Sequence, residues 1–460
     1  MRTAARRHCS IFVGQTVVAL LAIFSVFPPA ASAQQQPQLP LLVLISIDGL
    51  RPDYVTSADA HGARIPNLRG FLRDGTYADG VQGVLPTVTY PSHTTLVTGV
   101  WPARHGIWNN VVFDPLRKND EGWYWYAEDI RVPTLWDAAA HAGLTTASIQ
   151  WPVTVGANFT WNIPEYWRAK TPEDDKLLRA LSTPGLLNEL QPELGPYLGG
   201  IDSTIEADEV RGRYAIALLE KKHPRLLTLH LSALDHMEHE TGPFSPESMA
   251  VLERQDAVIG RIRAVAEHLA PGAAYVAVVS DHGFVRVDHE LDLYVPFRKA
   301  GLITVDQKGK ISDWLASPWN CNGSSAVVLK NPADPAMLSR VRALLEKLRG
   351  DPANGIDRIL EAGEMRARGG FSAASFFVAL KPGWKTSMAL DGPVVRGVKP
   401  GGAHGLLPDL PELRSAFFLV GPGIPAGRSL GVIDMRDIAP TLAARLGLKL
   451  PSADGKNLLP

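Results

Sequence analysis

The sequence predicts an α/β fold, a three-layer α/β/α sandwich around one mostly parallel central sheet with an inserted cap region. Apolar runs of strand length alternate with amphipathic helical stretches along most of the chain. The strand-like runs are continuously apolar, as expected of strands covered by helices on both faces. A chain of 460 residues that is 45% hydrophobic can also bury a core of that size.

The N-terminus reads as a targeting segment. Arg2, Arg6 and Arg7 precede an apolar run from Ile11 to Phe27, then Pro28-Pro29 and Ala31-Ser32-Ala33. Basic, then apolar, then A-x-A is the order of a cleavable signal peptide, predicted over 1–33, and the run is short for a span of about 20 residues. Export to the periplasm or beyond is expected, with no stable membrane span after cleavage. QQQPQLP, 34–40, reads as a linker, and 41–460 as the catalytic domain.

Four runs read as buried parallel strands: LLVLISI (41–47), LLTLHLSAL (226–234), AAYVAVVS (273–280) and SAFFLVG (415–421). Helical patterns lie around 65–72, 210–221, 249–269 and 436–446. Cap or lid segments are expected around 150–190 and 288–399, the second including the helix-like MLSRVRALLEKLRG.

Composition excludes some partners. Lys+Arg 46 against Asp+Glu 47, with no long run of either sign, gives no surface suited to nucleic acid. Loss of 1–33 would remove Cys9 and leave Cys321 as the sole thiol, which reads as buried and inert.

The strands end in residues suited to chemistry. LLVLISI runs into Asp48-Gly49, LLTLHLSAL into Asp235 with His239 four residues on, and AAYVAVVS into Asp281-His282-Gly283; His404 sits among glycines in GGAHG. Ligands of open α/β sheets bind at the carboxyl ends of strands. An Asp and a His spaced i, i+4 share a helix face, and carboxylates with imidazoles form an ordinary donor set for zinc or a similar divalent ion.

SIDGLRPDY, PTVTYPSHTTLVTGVWPARHGIWNN, DHMEHETGP, SDHGF and GGAHG, in that order, resemble the nucleotide pyrophosphatase/phosphodiesterase family of the alkaline phosphatase superfamily. The likeness is to a single-domain, bacterial-type member and implies the alkaline-phosphatase-like form of the sandwich. It implies that Thr89 is the nucleophile and a metal ligand, and that Asp48, Asp281 and His282 hold the same ion. Asp235, His239 and His404 would hold a second, both ions being zinc. Asn110 would bind a non-bridging phosphate oxygen, while Tyr90 and Tyr166 would contact the substrate, Tyr90 packing against its base.

The expected reaction is hydrolysis of a phosphodiester or pyrophosphate, nucleotide-type substrates favoured, through a phosphothreonine. A monoesterase, a phosphonate hydrolase and a lysophospholipid phosphodiesterase of the same superfamily are the alternatives. Sulfatases of this superfamily carry C/S-x-P-x-R, whereas TYPSH places Thr89 at the reactive position. Threonine-dependent monoesterases carry Lys-x-Arg where SIQWP places Gln150 and Pro152, so the clamp for a dianionic monoester is missing. Ser92 reads as the cap of the helix after Thr89, and Thr87, Thr94, Thr95, Thr98, His93 and His105 read as structural.

Overall fold

The computed structural model describes residues 10–12, 14, 39–119, 122–167, 171, 173–197 and 202–459. The expected signal peptide and linker therefore lie almost entirely outside the described residues. Leu39–Pro460 is one compact unit.

Strand Leu41–Ile47 is buried at all seven positions. Val43, Ile45 and Ile47 enter one core, Leu42 and Leu44 the other. That period of two, with both faces covered, is why the run carries no polar alternation. The first core is closed by helices Pro66–Asp74, Ile205–Lys222 and Pro246–Leu269. Helices Thr89–Thr98, Leu135–His141 and Ile438–Arg445 close the second.

The central sheet has eight strands in the order Arg428–Ser429, Thr76–Tyr77, Phe417–Val420, Ala274–Val279, Leu41–Ile47, Leu226–Leu231, Thr146–Ile149, Trp161–Ile163. The last five of these are mutually parallel. Phe417–Val420 corrects the expectation of a parallel strand at 415–421, since it runs antiparallel to both neighbours. It comes after the His404 loop, which lies at the carboxyl edge, so the chain enters the sheet from that edge and runs back.

Two further boundaries differ from the sequence reading. The strand expected over 226–234 stops at Leu231, and helix Ala233–Thr241 begins almost at once. The buried carboxylate of Asp208 forces that change, accepting hydrogen bonds from the N–H groups of Ser232 and Ala233, 3.1 Å each, at the helix N-terminus. Asp235 thereby falls in the first turn and His239 one turn on. In helix Thr89–Thr98 the cap is Val88, and Ser92 lies inside the helix. Pro91 fits near the start because its missing N–H costs nothing in a first turn.

Of the segment expected as a lid around 150–190, Trp161–Ile163 is an edge strand of the central sheet. The 288–399 segment contains a four-stranded antiparallel sheet of Ala316–Asn320, Ser324–Leu329, Phe376–Leu380 and Ile356–Glu361. Helix Pro335–Arg349 packs on it through Val341 and Leu345. Strand Val285–Leu291 leaves the central unit toward this region and Val395–Ala403 returns antiparallel to it, delivering His404 to the carboxyl edge.

Asp208 is fully buried and also accepts hydrogen bonds from Arg211 Nη1 at 2.6 Å and Gln255 Nε2 at 2.7 Å. Asp208→Ala removes the carboxylate from the buried Arg211 guanidinium, which keeps Ser232 Oγ and Asp202 O, and leaves two helix N–H groups unmatched, so it should cost about 3–5 kcal/mol by denaturant unfolding. A loss below about 1 kcal/mol would refute this role.

Candidate active site

Asp48 comes directly after strand Leu41–Ile47, and Asp281 and His282 after strand Ala274–Val279 of the neighbouring position. His282 Nε2 lies 3.4 Å from Asp48 Oδ1 and 3.1 Å from Asp281 Oδ2. Asp235 Oδ1 lies 3.5 Å from His239 Nε2 and 3.7 Å from His404 Nε2. The His282 and His404 rings stack with centroids 3.7 Å apart. Two groups could each hold a metal ion: Asp48 with Asp281 and His282, and Asp235 with His282 and His404. His282 is shared, and His239 joins the second group through Asp235.

Each aspartate is half-committed. Asp48 Oδ2 faces His230 Nε2 at 3.0 Å, and Asp281 Oδ1 accepts from the Gly49 N–H at 3.1 Å. The other oxygens, Asp48 Oδ1 and Asp281 Oδ2, and likewise Asp235 Oδ1, are buried with no hydrogen-bond partner. Three orphaned carboxylate oxygens in one place are costly unless a cation meets them. The histidines are prepared in the complementary way. His239 Nδ1 donates to Gly402 O at 3.1 Å and His404 Nδ1 to Thr87 O at 3.0 Å, which leaves Nε2 of each as the lone-pair nitrogen.

The electrostatics point the same way. Burial, reinforced by the charges of Asp281 and Asp235, holds the Asp48 carboxyl well above its ordinary range. Burial pushes Asp281 up to about 6. It also depresses His282, helped by the His404 and His239 rings, and takes His404 down to about 4. Neutral imidazoles and charge-starved carboxylates are what a divalent cation requires of its ligands. The donor set therefore fits a metal ion.

Glycines set the spacing here. Gly49, at φ +78°, has no room for a Cβ, which would come within 2.8 Å of Glu238 Oε2 and of the Phe284 ring. A Cβ on Gly401 would meet His239 O at 2.3 Å, so the strand carrying His404 packs directly on the helix carrying His239.

Thr89 is the first residue of its helix and nearly buried, with Oγ1 3.5 Å from His282 Nε2. Asn110 accepts from the Tyr90 N–H at 2.8 Å through Oδ1, which turns its Nδ2 donor toward other acceptors. Of the other hydroxyls of the stretch, those of Thr87, Thr94, Thr95 and Thr98 donate to main-chain carbonyls, while those of Ser92 and Tyr90 are buried without a hydrogen-bond partner. His93 spans Thr89 O and Ser46 Oγ, and His105 spans Thr95 Oγ1 and the Ile107 N–H.

A cavity of about 500 Å³ opens over these groups, lined among others by Asp48, Thr89, Tyr90, Asn110, Asp235 and His404. Tyr166 is not brought to it; it is buried against Trp125, centroids 4.8 Å apart. Trp123 and Trp167 line the cavity instead. Cys321 also lines it but is 2% exposed, and burial pushes its thiol up to about 12.

Sequence reasoning missed the pair behind Asp48. His230 is clamped between Asp48 and Glu165, whose Oε2 lies 2.7 Å from His230 Nδ1, all three buried. Glu165 Oε1 accepts from Trp167 Nε1 at 3.1 Å. The only sequence signal was a histidine inside a strand that is apolar apart from it and Thr228.

A family model described as type I phosphodiesterase / nucleotide pyrophosphatase matches residues 42–407. The chain belongs to this family. Human ectonucleotide pyrophosphatase/phosphodiesterase family member 7 is 26% identical over 296 residues, covering 62% of this chain and 57% of that protein. Human family member 1 is 25% identical over 260 residues, covering 54% of this chain and 24% of that protein. The matches thus span little more than half, or about a quarter, of the relatives' own length. Among solved structures, inactive murine ectonucleotide pyrophosphatase/phosphodiesterase 5 in complex with AMP superposes with a TM-score of 0.65 at 18% identity, over 91% of this chain and 98% of that one. This supports the alkaline-phosphatase-like fold read from the sequence.

Stripping metal with a strong chelator should lower the melting temperature, and zinc should restore it, because the orphaned oxygens again face one another unscreened. Elemental analysis should find two equivalents in the wild type and about one in His404→Ala. Full occupancy in that variant would remove His404 from the donor set.

Proposed function

We propose that the chain is a metal-dependent hydrolase of phosphodiester or pyrophosphate bonds, nucleotide-type substrates favoured, working through a phosphothreonine at Thr89. The observation that carries it is the cavity's charge pattern. Among the described residues lining it there is no lysine or arginine, while Glu165 and the aspartates are present. Among these described residues a phosphoryl group with two negative charges finds no side-chain clamp, whereas a monoanionic diester needs none.

Thr89 Oγ attacks phosphorus in line with the leaving oxygen, forming the new P–O bond as the old one breaks. Water then attacks the phosphothreonine from the vacated side, releasing the phosphoryl product and restoring the hydroxyl. Asn110 Nδ2 donates to a non-bridging oxygen, and the N-terminus of helix Thr89–Thr98 favours the negative charge gathered there. Two divalent cations, when bound by Asp48, Asp281, His282 and Thr89 and by Asp235, His239 and His404, would acidify the threonine hydroxyl and neutralise the leaving oxygen.

Trp167 in the cavity wall suits the flat face of a base, whereas Tyr90, expected to contact it, is fully buried edge to face behind Trp123 at 5.2 Å and offers no face. The 288–399 region acts as a cap, reaching the cavity through Asn320, Cys321 and Asn322. The chain is exported on the signal at 1–33, and among the described residues no helix is long and apolar enough to cross a membrane.

Thr89→Ala should keep its fold and metals but lose several orders of magnitude in rate, and Thr89→Ser should keep part of it. Wild type should favour a 4-nitrophenyl nucleotide diester over 4-nitrophenyl phosphate at least a hundredfold in kcat/KM, about 2.7 kcal/mol. A preference for the monoester would keep Thr89 as nucleophile and overturn the diester assignment.

A further inference from the structure

A second cavity of about 380 Å³ adjoins the first and shares Val111, Trp123 and Asn320 with it. Its walls are aromatic: Phe113 packs on Trp319 with centroids 5.3 Å apart, and Tyr294 also lines the space. Its rim is apolar and open, with Val112 40% and Met388 53% exposed, two of the few large hydrophobic side chains left in solvent among the described residues. Trp319 Nε1 donates to Val111 O at 3.0 Å, which fixes the shared wall.

One cation faces this space. The Arg117 guanidinium lies over the Tyr294 ring, 4.1 Å from its centroid. Its Nε and Nη2 are buried with no hydrogen-bond partner, and no carboxylate among the described residues pairs with it. Asp114, which lines the same cavity, instead accepts from the Asn119 N–H at 2.6 Å. Arg117 also holds φ at +50°, a conformation that a residue with a Cβ adopts at a cost. Buried guanidinium N–H groups without acceptors are expensive, and an anion seated against them removes the expense.

We propose that this second cavity is a subsite for the leaving half of the substrate, built for an aromatic or apolar body that bears its own anionic group, with Arg117 as counter-ion. The inference rests on the phosphodiesterase reading above. The transferred half occupies the cavity over Thr89, the scissile bond lies at the threonine, and the departing half extends past Trp123 toward Arg117. Arg117 touches no reacting atom, so it sets which substrates are used rather than whether the bond breaks.

The test uses two probes with the same transferred half, adenosine 5′-monophosphate 4-nitrophenyl ester and bis(5′-adenosyl) triphosphate. Only the second has a leaving half that is both aromatic and multiply charged. Arg117→Met should lower kcat/KM on the dinucleotide at least tenfold and leave the nitrophenyl ester within twofold, with Arg117→Lys recovering part of the loss. Met388→Asp, at the exposed rim, should show the same selectivity by repulsion without touching the core. Equal effects of both substitutions on the two probes, or none on either, with an active wild type would overturn the subsite alone. A wild type inactive on both probes would overturn the phosphodiesterase reading and the subsite with it.

Discussion

Buried negative charge at one edge of a sheet is the constraint on which this structure turns. Asp48, Asp235 and Asp281 bring three carboxylates together, each with an oxygen that no protein group satisfies. Like charges in a low dielectric repel strongly, and the nearby imidazoles are pushed toward neutrality by the same burial. Much of the surrounding architecture holds these groups close against that repulsion. Parallel strands place Asp48 and Asp281 side by side, Asp208 anchors the helix bearing Asp235 and His239, and Gly401 lets the His404 strand lie on that helix without a gap.

The position of Thr89, the proposed nucleophile, depends on the same economy of backbone. Thr89 opens a ten-residue helix at the cavity wall, and the Tyr90 N–H of its first turn fixes Asn110. A hydroxyl at that place meets the positive end of the helix and the metal donors together. His93, one turn along, ties Thr89 O to Ser46 of the first strand, so the helix start cannot drift from the sheet edge.

Where the chemistry was written in short range, the sequence was readable. The apolar run ending in Asp48 announced both a strand and its carboxyl-end acid, and the i, i+4 spacing of Asp235 and His239 announced a shared helix face. His404 showed as a histidine among glycines, but its place in the donor set came only from resemblance, because its partners are far away in the chain. His230 and Glu165 were not readable: their pairing depends on strand register, Ser46 opposite His230, and on the loop after Trp161–Ile163 folding over that edge. The direction of Phe417–Val420 was hidden for a related reason, since a buried antiparallel strand is as apolar as a parallel one. Tyr166 was misplaced because several aromatics crowd 151–167, and periodicity does not say which of them reaches the cavity.

The division of the donor set along the chain has a consequence in time. Asp48 and Thr89 are made early, Asp235, Asp281 and His282 near the middle, and His404 only after the whole 288–399 excursion. A growing chain therefore carries acids and a hydroxyl that amount to nothing until strand Val395–Ala403 has come home. On the proposed donor set, hydrolytic power is latent through synthesis and arrives with the closing of the fold.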